Sequence, residues 1–108
     1  TWDGRANLRN ARFADDPEPL MDDCDCPACR HFSCAYLRHL VQAEEILGLR
    51  LITAHNLRFF VRVMERIRSA IENGSFAEEK AEFLARYRTV DPGVRRANVE
   101  ARRRSQGR

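Results

Sequence analysis

Four cysteines fall within eleven positions, Cys24, Cys26, Cys29 and Cys34. A framework of disulfides would spread its cysteines along the chain to close long loops, so a cluster this tight points instead to a metal in a reducing compartment, the cytoplasm. Cys24 and Cys26 stand two apart, on one side of an extended segment, and Cys29 follows a turn in which Pro27 fixes φ. Three sulfurs can then converge on one tetrahedral centre. Zn²⁺ takes four such ligands at about 2.0–2.3 Å, and the candidates for the fourth are Cys34, His31, His39 and His55. His31 is too close behind Cys29 to return without strain, and His39 lies in the middle of a predicted helix. Cys34 would complete a local four-cysteine knot, whereas His55 would clamp a distant helix onto the cysteine loop, and spacing alone does not choose between them. A redox role for Cys26-x2-Cys29 is disfavoured, because that motif normally opens a helix after a strand in a βαβ setting that this sequence lacks.

The elements that must position these ligands are mainly helical. Ala6, Leu8, Ala11 and Phe13, after Asp3-Gly4, alternate well enough to predict a small N-terminal β element. Residues 15 to 25 hold six carboxylates, two prolines and no cation, the composition of a loop with a solvated face. Helical spacing of Leu37, Leu40, Val41 and Leu47, with Gly48 at the expected terminator, predicts a helix over about 32–47. A second is predicted over about 56–73 with Gly74 as terminator, and a third over about 75–87, opened by the capping-box pattern Ser75-x-x-Glu78. The reading is thus one zinc-binding subdomain over residues 1–87 and an Arg-rich tail over 88–108, expected to be disordered for lack of large apolar side chains.

The chain has 108 residues, with 19 Lys and Arg against 16 Asp and Glu. Residues 94–108 carry six arginines against Glu100, a net of +5, so the preceding residues are slightly acidic at −2. The body is therefore not the uniformly basic surface of a self-sufficient nucleic-acid binder. No apolar run approaches the roughly 18 residues of a membrane span. The first residues, Thr1 to Arg5, lack a starting Met and the features of a secretory leader, which is expected of a processed chain or part of a longer one.

Two further side-chain patterns could serve binding. Phe32, Tyr36 and His39 form an aromatic stripe suited to a partner surface as well as to a core. Arg58, Arg62 and Arg66, four apart, form a cationic stripe that reads as a solvated face or as a contact to nucleic-acid phosphates. In the second predicted helix the apolar residues cover an arc of about 200°, twice what a helix packed on one layer needs. Phe59 and Val63 at its edge, or Phe60 and Met64 near its centre, should then lack a partner within these residues.

The ligand pattern Cys24-x-Cys26-x2-Cys29, with His55 26 residues on, is accompanied by Arg9-Asn-Ala-Arg-Phe13, Ala35-Tyr-Leu-x-His-Leu40, Glu45-Ile-Leu-Gly48 and His55-Asn-Leu-x-Phe59. This combination resembles the C-terminal part of bacterial tRNA-guanine transglycosylase, from about Thr1 to Tyr87. The resemblance implies that Cys24, Cys26, Cys29 and His55 hold one structural Zn²⁺ per chain and that Cys34 is a bystander. Three thiolates and an imidazole would fill all four positions and leave none open for water. It also implies a (β/α)₈ TIM-barrel enzyme, whose last helix is the second predicted here. The zinc-binding part would follow the last barrel strand, and the corresponding helix would contribute an aromatic cluster to a homodimer. In that family an aspartate attacks ribose C1′ of the tRNA wobble guanosine and a 7-deazaguanine precursor of queuosine replaces guanine. The aspartate lies in the barrel, so no catalytic residue is assigned here and the chain alone is expected to be inactive. The alternative is a free-standing zinc module that binds protein or nucleic acid.

Overall fold

The computed structural model describes residues 1–89 and 92–107. Its spine is one long helix, α3 (Ile46–Glu72), against which α1 (Pro27–His31), α2 (Cys34–Gln42) and α4 (Phe76–Arg86) pack. Leu51, His55 and Phe59 recur every fourth residue on the face of α3 turned to the core, so a histidine occupies an apolar position of the inward stripe.

The predicted 32–47 helix is shorter and its successor longer than the spacing implies. Helix α2 opens at Ser33, whose hydroxyl accepts from Tyr36 N at 3.1 Å. It closes on Glu44, which takes φ 56° while Glu45 N donates to Leu40 O and Glu44 N to Val41 O. That is a Schellman termination with glutamate where glycine is usual. Gly48 lies instead in the first turn of α3, where an added Cβ would meet Leu40 Cβ at 2.9 Å. The missing side chain lets α2 and α3 approach. With no terminator at 48, residues 49–53 are helical and α3 begins at Ile46 rather than near 56.

The far end of α3 turns at Gly74, φ 69°, with Gly74 N donating to Ile71 O and Ser75 N to Ala70 O. Helix α4 follows at Phe76, but Ser75 makes no side-chain cap: its backbone belongs to the preceding termination, and its φ and ψ, −108° and 22°, are not those of a capping residue.

The predicted N-terminal β element is absent. Asn7 and Asn10 accept from the backbone N–H of Arg9 and Arg12, turning the chain twice, and residues Ala11–Phe13 form a 3-10 turn. These asparagine turns outcompete the alternation of Ala6, Leu8, Ala11 and Phe13, which was never in strict register. The β feature among the described residues is one isolated parallel bridge, Gly4 to Arg88.

Within the Arg-rich tail, expected to be disordered over 88–108, residues Pro92–Gln106 form helix α5, while 90, 91 and 108 lie outside the described residues. Every α5 residue whose burial is described is exposed, so the helix adds none of these to the core. Its alanines and arginines are strong helix formers, which explains local helicity without packing. Among the described residues no helix is long and apolar enough to cross a membrane.

The core gathers Leu8, Phe13, Met21, Leu37, Leu40, Leu51 and Phe59 around Trp2, which is 5% exposed. The Trp2 ring lies 4.9 Å from that of Phe59 on α3 and 6.4 Å, edge-on, from that of Phe83 on α4. Its indole N–H donates to Asp23 at 3.3 Å, so one side chain joins the N-terminus, both helices and the loop that carries the cysteines.

Candidate metal centre

Cys24 enters the site from a loop in which its N–H donates to Met21 O. Cys26 is the N-cap of α1: its sulfur accepts from Cys29 N at 3.4 Å, and Pro27 fills the first helical position, where a missing N–H costs nothing. The single turn of α1 then brings Cys29 back toward the first two sulfurs. The fourth group comes from the middle of α3. His55 Nδ1 lies 3.7, 3.4 and 3.3 Å from the sulfurs of Cys24, Cys26 and Cys29.

The four ligand atoms all lie within 4.8 Å of one another. Tetrahedral Zn²⁺ with the usual bond lengths sets sulfur and nitrogen about 3.6 Å apart, so the spacings here fit that ion closely. Cys24, Cys26 and His55 are buried and Cys29 is half-buried. Burial holds His55 below its ordinary pKa, so the imidazole is neutral and free to donate its lone pair. Burial and the neighbouring sulfurs push the Cys29 thiol up to about 12, and burial also raises that of Cys24. Such thiols give up their protons only to a cation. Cys24, Cys26, Cys29 and His55 are thus positioned to bind one metal ion, and four protein donors complete a structural site.

Cys34, the other candidate from spacing, is buried at the start of α2, outside the cluster. Burial, with Asp16 beside it, raises its thiol to about 11, which makes it unreactive near neutrality. His31 and His39 are exposed and also stand outside the cluster.

The family of queuine tRNA-ribosyltransferase matches residues 1–89. This chain belongs to that family. Proteins named queuine tRNA-ribosyltransferase resemble it at 56% identity in Symbiobacterium thermophilum, over 79% of this chain and 21% of the relative. The figures are 52% in Sphingopyxis alaskensis, over 82% and 24%, and 46% in Herpetosiphon aurantiacus, over 93% and 26%. The chain thus spans about a quarter of the length of these curated relatives.

Within this member of the queuine tRNA-ribosyltransferase family, the cationic stripe is engaged by the chain itself, Arg58 and Arg62 by the cysteine loop and Arg66 by α4. Arg58 Nε bonds Asp25 at 2.7 Å, Arg62 bonds the Asp23 carbonyl at 2.9 Å and its carboxylate at 3.1 Å, and Arg66 pairs with Glu79 of α4. The Arg62 and Arg66 guanidinium groups also lie 5.6 and 4.7 Å from the Trp2 ring centre. Arg58 holds the Asp25 carboxyl below the usual carboxylate range. For Asp23, burial opposes ionisation but is outweighed by the bonds from Arg62 and Trp2. Two residues of the acidic loop therefore strap the metal loop to α3 from either side of Cys24. Sequence reasoning missed this clasp and the role of Trp2, although opposite charges in both segments and a lone Trp among polar residues were visible.

The aromatic stripe runs from Phe32, packed against the core, out to the surface. Tyr36, 40% exposed, stacks on half-buried Phe32 at 5.2 Å between ring centres and approaches exposed His39 at 6.4 Å. Of the edge and centre of the α3 apolar arc, Phe59 is buried and Val63 partly so, whereas Phe60 and Met64 are 65% and 57% exposed.

Proposed function

We propose that this chain is the zinc-binding C-terminal part of a tRNA-guanine transglycosylase, which exchanges guanine at the tRNA wobble position for a 7-deazaguanine precursor of queuosine. The reading rests on the closed Cys₃His cluster within a chain that matches the family over residues 1–89. Zinc held by Cys24, Cys26, Cys29 and His55 would supply folding free energy and fixed geometry, not an electrophile, because no position is left for water or substrate. The nucleophilic aspartate belongs to the barrel in this reading, and the carboxylates flanking Cys24 in sequence, Asp23 and Asp25, are occupied by arginines. The exposed centre of the α3 arc is the surface that a barrel would cover.

Phe32, Tyr36 and His39 are proposed as a homodimer contact, supported by the stack of Tyr36 on Phe32 and by the polar groups that exposed Tyr36 and His39 present at the surface. A phosphate-binding role for Arg58, Arg62 and Arg66 is less favoured, since each is already paired within the chain.

The test replaces the homologous C-terminal quarter of the Symbiobacterium thermophilum relative with this chain and follows incorporation of labelled guanine into tRNA. Exchange by the chimera, its loss with Cys24→Ala, and none from this chain alone are expected. A folded, zinc-loaded chimera without exchange would overturn the reading in favour of a separate zinc module.

A further inference from the structure

Helix α5 lies beyond the residues that the family matches, and its charge is arranged differently from that of the rest of the chain. Arg58, Arg62, Arg66 and Arg86 are each answered by a carboxylate of the same chain. No arginine of α5 forms an ion pair among the described residues, and Arg95, Arg96, Arg102 and Arg103 are all exposed. At about 100° per residue these four fall within an arc of about 120°, while Glu100 lies outside it. Arg95 and Arg102 are separated by about 10 Å along the axis, as are Arg96 and Arg103. The result is two pairs of guanidinium forks on one side of a helix, a spacing that can engage several phosphates of one backbone.

The rest of α5 narrows the partner. Its exposed residues include Ala97, Val99 and Ala101 but no aromatic or Leu side chain, so there is too little apolar surface to enter a bilayer or to form the core of a protein interface. A polyanion suffices. We infer that α5 lays this cationic face on the sugar–phosphate backbone of RNA, binding without regard to sequence. Resting on the function proposed above, the RNA is the tRNA substrate, and α5 adds affinity rather than base recognition.

The test measures binding of fluorescein-labelled tRNA to the zinc-loaded 108-residue chain by anisotropy across a salt series. The variant Arg95→Gln/Arg96→Gln/Arg102→Gln/Arg103→Gln is compared with a charge-matched control, Arg5→Gln/Arg9→Gln/Arg50→Gln/Arg68→Gln, made at exposed arginines elsewhere. The α5 variant should bind about tenfold or more weakly at 0.1 M salt and lower the slope of log K against log salt by about three. The loss should be equal for an unrelated tRNA, with zinc content and melting unchanged. Equal loss from the control variant, less than twofold loss from the α5 variant, or tighter binding to phosphatidylserine vesicles than to tRNA would each overturn the inference. Wild-type tRNA affinity in the α5 variant beside an active chimera would reject the inference and leave the proposed function standing. An inactive chimera with α5-dependent RNA binding would do the reverse.

Discussion

At the scale of single residues, the metal ligands divide into a loop that is prearranged and a histidine that is delivered. Cys24→Ala or His55→Ala should abolish stoichiometric zinc and unfold the chain, whereas Cys34→Ala should keep both, as read by metal analysis and circular dichroism. Structural zinc contributes on the order of 10 kcal/mol in zinc-finger peptides. Zinc retained by His55→Ala and lost by Cys34→Ala would reverse the assignment. Acid should release the metal, and the sign follows from the thiols. Cys24 and Cys29 have raised pKa values, so both are protonated at neutral pH without a cation and must lose protons on binding. Lowering the pH therefore favours the metal-free form. With at least two protons exchanged, the apparent Kd should rise about 100-fold or more per pH unit below pH 7.5, measurable by competition with a chelator. The depressed pKa of His55 keeps its own proton out of this balance until lower pH. Spacing made three sulfurs legible in the sequence but left Cys34 and His55 level, because the choice depends on which face of α3 turns inward. The family resemblance favoured His55, and its place in the Leu51, His55, Phe59 stripe gives the physical reason.

At the scale of elements, terminators mislead when glycine has a second use. Gly74 stops α3 as its position implies, but Gly48 serves the close crossing of α2 and α3, and the turn between them falls to Glu44 in the left-handed region. A non-glycine residue there costs about 1 kcal/mol or more. Glu44→Gly should accordingly stabilise the chain by about 0.5–1 kcal/mol in urea unfolding, whereas Gly48→Ala should destabilise it by forcing α2 and α3 apart. A loss of stability in Glu44→Gly would show that the glutamate side chain contributes more than its backbone costs. The strand expected over Ala6 to Phe13 was illegible for a related reason: Asn7 and Asn10 bond their own backbone, and local hydrogen bonds beat a weak alternation. In α5 the scarcity of large apolar side chains suggested disorder, but helix formation required only favourable local propensity.

At the scale of the whole molecule, the 200° apolar arc anticipated that α3 has more surface to bury than its neighbours can cover. Which residues face inward was decided by Trp2, a side chain distant in sequence: it takes Phe59 and leaves Phe60 and Met64 outside. The chain should bind a hydrophobic dye or self-associate through this exposed stripe, and Phe60→Ser with Met64→Thr should reduce either signal without loss of zinc. Phe59→Ser should instead unfold the chain, at a cost of about 3–5 kcal/mol for an emptied aromatic site. A monodisperse chain that binds no dye would mean that the stripe is covered in solution.

The ligands also enclose a length of chain: everything between Cys29 and His55, including α2 and the exposed turn at Ala43, Glu44 and Glu45, lies between two points tied to the same centre. A single cut by glutamyl endopeptidase after Glu44 or Glu45 would sever the backbone without parting the halves, because the metal is a second covalent-like join between them. The nicked protein should migrate as one species on size exclusion and separate into two only when a chelator is added. Here the ion works as a rivet, and the integrity of the molecule no longer depends on the continuity of its chain.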